Sequence, residues 1–363
     1  MAIKPRQHLQ QVSPCPHGSL SYRERMEKAL TGDGILDFSA SCNPLGTSPS
    51  VLEALRDVDL SHYPDDEALE LRQALARALQ VDLSWVAVGN GSVDLIYQLA
   101  SAYLEPADRA LVVGPAFGEY ARACRVAGAT VMEIRAAEET GFQPDTEAVR
   151  TALRAERPKL AFLCNPNNPT GRLLPASSII EILEECEETL MVVDEAYMPF
   201  CDSNVDLRGQ LTSGRLLLLR SMTKDHGLAG IRLGYAVARP DVLDPLGRIR
   251  PPWSVNALAQ AAGLAALKDE AHVEAARRVI AEARAYLVGE LSALGLGVVP
   301  SAANFLLVRV GDGAAFRAAM LARGICVRDC ASFGLPAHVR IGMRTMPDCR
   351  RLAAVAREVV VGA

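Results

Sequence analysis

The sequence predicts an α/β fold: a large domain with a mainly parallel sheet sandwiched by helices, joined to a smaller α+β domain. Two observations carry the large domain. Short runs that are apolar on both faces recur at 85–89, 109–114, 159–164, 189–194, 215–220 and 232–238. Longer helix-like stretches such as GSVDLIYQLASAYL and SSIIEILEECEE lie between several of them. A strand with two apolar faces needs cover on both, and alternating strands and helices supply it with parallel neighbours. A third observation carries the small domain, because the last third of the chain changes character. A long helical stretch over 254–294 leads into NFLLVRV, a helix around AAFRAAMLARG, then ICVRDC and HVRIGMR. The N-terminal segment is expected to join this part, since ILDFSASCNPLG reads as a strand and a turn ahead of the large domain. The expected division is 48–255 for the large domain, with 1–47 and 256–363 forming the small one.

Composition narrows the partners. With 363 residues, half of them hydrophobic, the chain has ample material for a sizeable core. A formal net charge of −5 argues against nucleic acid or a membrane surface as the main partner. The first twenty residues lack the apolar core of a signal peptide, and no apolar run is long enough to span a bilayer. The nine cysteines are irregularly spaced and the six histidines show no metal-ligand spacing. Reduced thiols in a cytoplasmic protein, without a structural metal, are expected.

Open α/β sheets bind ligands beyond the carboxyl ends of their strands, so the residues following each strand are the candidates. After 85–89 comes NGSVDLIYQ. Gly89 and Gly91 permit a tight turn, and Ser92 is expected to cap the following helix, whose N-terminus suits a phosphate. Asp94 stands where a dinucleotide fingerprint needs its third glycine, which disfavours a nicotinamide-dependent oxidoreductase. After 109–114, Phe117 or Tyr120 could stack on a planar ligand. After 159–164, NPNNPTG makes a constrained turn in which Asn168 can donate to a ring oxygen. Asp194 ends the next strand, where a lone carboxylate is costly without a partner such as a protonated ring nitrogen. Tyr197 can reach the same ring. After 215–220, SMTKDHGLAGIRLGY places Lys224 on the expected loop as a nucleophilic amine or base, and Arg232 as a phosphate ligand. Each has an ordinary reading alone: a turn, a core aromatic, a helix cap, a surface lysine. Together they describe a pocket for a phosphorylated, planar, nitrogen-containing aldehyde joined to a lysine, namely pyridoxal 5′-phosphate.

NPNNPTG, DEAY and S-x-x-K with an arginine eight residues later occur in that order. On these motifs the chain resembles the class I/II aminotransferase family of fold type I, over nearly its whole length. The resemblance implies that Lys224 is the covalent anchor and that Asp194 pairs with the pyridine nitrogen. It implies that Asn168 and Tyr197 contact the ring hydroxyl oxygen and Phe117 stacks on the ring. Gly91, Ser92, Val93, Ser221 and Arg232 would hold the phosphate. Tyr63, in HYPDD, resembles the tyrosine this family sends to a neighbouring subunit's cofactor, which implies a homodimer. LDFSASCNPLG, His17-Gly18 and VRDCASFGLPAHVRIGMR are similar to the branch containing histidinol-phosphate aminotransferase and threonine-phosphate decarboxylase, and lean to the decarboxylase. That branch implies a substrate set of Arg340, Arg328, His17 and Asn43. KDHGLAG departs from the decarboxylase pattern. Asp225 and His226 are expected as polar residues at the start of a helix, with no assigned role.

The implied function is an enzyme acting at Cα of an L-amino acid or phosphorylated amino compound, with Lys224 as general base and acid. Transamination and decarboxylation both stay open, because one or two anchoring side chains select the Cα bond that breaks. A non-catalytic regulator would need an attached DNA-binding domain, for which the length leaves no room.

Overall fold

The computed structural model describes residues 3–18, 20–27, 34–202 and 205–362. Its strands in chain order begin with β1 (Leu36–Asp37), β2 (Val86–Gly89), β3 (Arg109–Gly114), β4 (Thr130–Arg135) and β5 (Leu160–Cys164). Next come β6 (Leu190–Asp194), β7 (Leu216–Ser221), β8 (Gly234–Val237) and β9 (Gly297–Val298). The last are β10 (Phe305–Arg309), β11 (Ile325–Cys326), β12 (Arg328–Asp329) and β13 (His338–Gly342).

The large sheet runs β2-β8-β7-β6-β5-β3-β4. β4, β3, β5, β6 and β7 are parallel, while β8 runs against both β7 and β2. The six expected strands are present to within two residues. β4 was not expected, for a physical reason: it is an edge strand with no fully buried residue, so TVMEIR never shows two apolar faces. Alternate residues of the central strands enter separate cores. Val86, Leu111, Leu163, Val193 and Leu218 face one side. Val112, Phe162, Val192, Leu217 and Ala236 face the other.

A second, antiparallel sheet runs β12-β13-β10-β9 and has its own core against the helices Glu270–Ala293 and Met346–Val361. β1 pairs with β11 in parallel, Leu36 opposite Ile325, so the N-terminal segment is stitched to this part of the chain. The long helical stretch expected over 254–294 holds two helices, Ala257–Ala266 and Glu270–Ala293. Asn256 caps the first and Asp269 caps the second, accepting from the His272 N–H. A side chain that competes for backbone donors starts a new helix rather than continuing an old one. Ala259, Ala262 and Ala266 pack with the large sheet, whereas Ala276, Ile280 and Ala283 pack with the small one. The change of core falls at Leu267–Asp269. Among the described residues no helix is long and apolar enough to cross a membrane.

Candidate active site

A cavity of about 380 Å³ lies at the carboxyl ends of β5, β6 and β7, roofed by residues of the small sheet. It is lined by Ser92, Val93, Phe117, Asn168, Asp194, Tyr197, Ser221, Lys224 and Arg232 from the large sheet's strand ends. Arg328, Arg340 and His17 complete it. The large-sheet residues converge because an open α/β sheet presents its strand ends together, and the N-terminal segment and small sheet bring His17, Arg328 and Arg340 over them.

At one end, Gly91 has φ +82°, which favours glycine, and a side-chain carbon there would sit 2.6 Å from Arg232 Nη2. Gly91 caps the helix Ser92–Tyr103, and Ser92 is its first residue rather than the expected cap. The turn is braced instead by Asp94, whose carboxylate accepts the Asn90 N–H at 2.9 Å. First-turn N–H groups have no intrahelical partner, so this end offers donors to an anion. Arg232 itself has φ +65°, an uncommon conformation for a residue with a side chain. Its guanidinium donates to Ala229 O at 3.1 Å.

Lys224 sits in a one-turn helix, Met222–Asp225, rather than on the expected loop. Ser221 caps that turn, and its hydroxyl lies 2.7 Å from the Thr223 hydroxyl, a cavity residue the sequence reading missed. Asn43 lies outside the cavity lining. Its N–H donates to Lys224 O at 2.8 Å and its side-chain NH₂ to Asp225 O at 2.7 Å, so it braces the lysine turn. Asp225 and His226 end this turn instead of starting a helix. Asp225 is buried near Arg220, accepts the His226 N–H at 2.9 Å, and is pushed up by burial. Neither residue lines the cavity.

Asp194 faces the cavity with 5% of its surface exposed. Its carboxylate accepts from Tyr120 Oη at 2.6 Å and from the Ala196 N–H at 2.9 Å. Burial still raises its carboxyl above the usual range. Tyr120 stacks on Phe162 at 5.1 Å and meets Phe117 edge-on at 5.6 Å. Of the two aromatics offered by PAFGEY, Phe117 is left to meet a ligand face, and Tyr120 serves the carboxylate. A tyrosine three residues past a stacking aromatic was the available signal for that role.

The turn NPNNPTG divides its amides. Asn165 and Asn167 spend theirs on backbone carbonyls, on Leu174 O of the same loop at 3.1 Å and on Pro115 O just past β3 at 2.9 Å. Asn168 reaches the cavity, where its carbonyl oxygen accepts from Arg340 Nη1 at 2.5 Å. Its NH₂ is therefore the group left for a ligand oxygen. Tyr197 is buried edge-on to Phe305 at 5.0 Å.

Arg328 and Arg340 are direct cross-strand partners of β12 and β13, and both line the cavity. Like charges placed opposite each other oppose folding unless an anion lies between them. Burial and the Arg340 charge hold Arg328 below its usual range. Arg328 also donates to His17 O at 2.9 Å, Pro16 O at 2.8 Å and Ser332 Oγ at 2.7 Å. His17 Nε2 lies 3.1 Å from Glu119 Oε1. Tyr63 lies outside the cavity, 78% exposed and stacked on Trp253 at 4.3 Å.

These residues fit pyridoxal phosphate. The cradle at Gly91, the Arg232 guanidinium and the helix N-terminus match a phosphate. A buried carboxyl pushed upward is the natural counterpart of a protonated ring nitrogen. The fold and pocket define a pyridoxal-phosphate-dependent enzyme of fold type I. Residues 33–355 match the family described as aminotransferase class I and II, and the chain belongs to that family.

Histidinol-phosphate aminotransferase of Symbiobacterium thermophilum is 41% identical over 333 residues, covering 90% of this chain and 91% of that protein. The structure of histidinol-phosphate aminotransferase from Sinorhizobium meliloti with pyridoxal-5′-phosphate superposes with a TM-score of 0.88 at 26% identity, covering 99% of both chains. L-threonine-O-3-phosphate decarboxylase from Porphyromonas gingivalis superposes with a TM-score of 0.78 at 29% identity, covering 90% of this chain and 99% of that one.

Proposed function

We propose that the enzyme transfers the amino group of a phosphorylated amino compound of the histidinol-phosphate type to a 2-oxo acid. The observation that carries this reading is the facing pair Arg328 and Arg340, which suits an oxyanion of the substrate. The 41% identity to a histidinol-phosphate aminotransferase favours that substrate over threonine phosphate.

The cofactor, when bound, supplies an electron sink for the pair left by a broken bond at substrate Cα. Lys224 is its anchor, and its freed amine takes the Cα proton and redelivers it. Asp194 keeps the ring nitrogen protonated, and Tyr120 fixes the carboxylate that does so. Phe117 covers one ring face, and Asn168 and Tyr197 meet the ring oxygen. Gly91, Ser92, Val93, Ser221 and Arg232 hold the phosphate. Arg340 and Arg328 orient the substrate oxyanion, with His17 at the entrance. Asn43 holds the lysine turn in place. Two chains form a homodimer in which the exposed Tyr63 serves the neighbouring cofactor phosphate. All nine cysteines are unpaired, which suits a reducing compartment such as the cytoplasm.

The test supplies histidinol phosphate with 2-oxoglutarate and, separately, threonine phosphate. Glutamate formed only with histidinol phosphate is the expected result. Carbon dioxide released from threonine phosphate without amino transfer would replace this reading with the decarboxylase. Lys224→Ala should lower turnover by at least about 10²-fold, and borohydride should no longer fix the cofactor to the chain.

A further inference from the structure

Cys15, His17 and Glu119 stand together at the mouth of the cavity. One ligand atom from each, Sγ, a ring nitrogen and a carboxylate oxygen, lies within 4.8 Å of the other two. Zinc bonds of about 2.0–2.3 Å place tetrahedral ligands roughly 3.3–3.8 Å apart, so small side-chain movements suffice to close the set. The ligands come from two segments. Cys15 and His17 lie on the N-terminal strap, and Glu119 opens the helix Glu119–Ala127.

Glu119 is arranged as a ligand. It is 2% exposed, and its two oxygens are used differently. Oε2 accepts from Tyr97 Oη at 2.7 Å and from Arg122 Nη1 at 3.2 Å. Oε1 faces His17 Nε2. The two donors on Oε2 fix the carboxylate and leave Oε1 directed at the strap, the way outer partners orient metal-binding carboxylates. Arg122 thus occupies the far oxygen. The nearby Arg328 spends donors on Pro16 O, His17 O and Ser332, and so holds the backbone that carries the other two ligands.

Gly118 makes the room. A side-chain carbon there would meet Cys15 Sγ at 2.5 Å. Cys15, His17 and Gly118 also line the cavity. Three protein ligands leave a fourth position facing it, for water or an anion.

We propose that Cys15, His17 and Glu119 form a site for a divalent cation of the zinc class, which clips the N-terminal strap to the helix Glu119–Ala127 across the cavity mouth. Sulfur, imidazole and carboxylate together select zinc over magnesium or calcium, which prefer oxygen ligands throughout.

The test titrates metal-stripped holoenzyme with Zn²⁺ against a chromophoric indicator. One Zn²⁺ per chain, bound more tightly than about 1 μM, is expected. Cys15→Ser and His17→Gln should each weaken it at least tenfold. Cys42→Ser, at another half-buried thiol, should leave it unchanged. Zn²⁺ should also protect Cys15 from alkylation, read by mass on the peptide that contains it. Binding below one equivalent, equal affinity in the Cys15 and His17 variants, or unprotected Cys15 would overturn the site. Metal binding is read without turnover, so its failure leaves the assigned reaction standing.

Discussion

Arg340 Nη1 donates to the Asn168 carbonyl oxygen at 2.5 Å, while Nη2 donates to Ser39 O at 3.0 Å. One guanidinium therefore joins the small sheet, the N-terminal segment and the turn that ends β5. It also orients the Asn168 amide, so the arginine proposed to meet the substrate also sets which Asn168 group is left to donate into the cavity.

Arg340→Lys keeps the charge and loses the planar fork. Losing one or more hydrogen bonds of a charged group costs about 1.5–3 kcal/mol. The expected result is a KM for the amino donor raised roughly tenfold or more. The absorbance of the bound cofactor should shift as well, because Asn168 loses its orienting partner. An unchanged KM would remove Arg340 from substrate binding.

Tyr120→Phe deletes the donor on Asp194 and leaves the ring stacked on Phe162. Pyridoxal phosphate affinity should fall about tenfold, followed by absorbance on adding cofactor to apoprotein. Equal affinity in the variant would mean that the Ala196 N–H alone holds Asp194.

Gly91→Ala strains a positive φ and drives a methyl group into Arg232. If Gly91 belongs to the phosphate cradle, pyridoxal phosphate affinity should drop by about tenfold while that of pyridoxal, which lacks the phosphate, hardly changes. Parallel losses for both ligands would instead report a general distortion of the pocket.

Asp225→Asn tests a buried charge. Burial raises the folded carboxyl, so its protonated form contributes stability below the unfolded pKa of about 3.9. That contribution is lost as pH climbs through the raised folded value, and at neutral pH the ionised group is a cost. Asparagine removes the cost and can still accept the His226 N–H. The Tm of the variant minus that of the parent should therefore become more positive from pH 4 to pH 7. A difference that stays flat would show that the Asp225 carboxyl titrates alike in the folded and unfolded chain, with no shift from burial.

Much of this was legible in the chain because an open α/β sheet gathers its strand ends. Short two-faced apolar runs locate the strands, and the carboxyl ends of the parallel ones, with the segments just beyond them, supply much of the cavity lining. Lys224, Asp194, Asn168 and Arg232 were found that way. What local pattern could not show was partnership. Asn43 looks like a ligand in SCNPLG, yet its side-chain NH₂ is spent on Asp225 O and its backbone N–H on Lys224 O. Tyr120 looks like a stacking ring, yet its hydroxyl belongs to Asp194. Glu119 and Cys15 carry no motif, and only the packing of the strap on a distant helix brings them together. The broken helix at Leu267–Asp269 was hidden because an apolar period runs through a cap that only backbone geometry reveals.

The reversal of β8 has a practical meaning. Ser221 and Gly234 are paired across the two strands, so residues 222–233 leave the sheet and re-enter it at the same end. The separation of Lys224 from Arg232 is then a loop length, free of any strand register. Removing or adding a residue between 228 and 231 should leave the Ser221–Gly234 pairing in place and, on the roles proposed for them, misplace Arg232 against Lys224. Fold and cofactor would respond to such length variants in opposite ways, one indifferent and the other exacting. On the proposed roles of Lys224 and Arg232, the loop is in effect a gauge, cut to the distance between the two ends of a single small molecule.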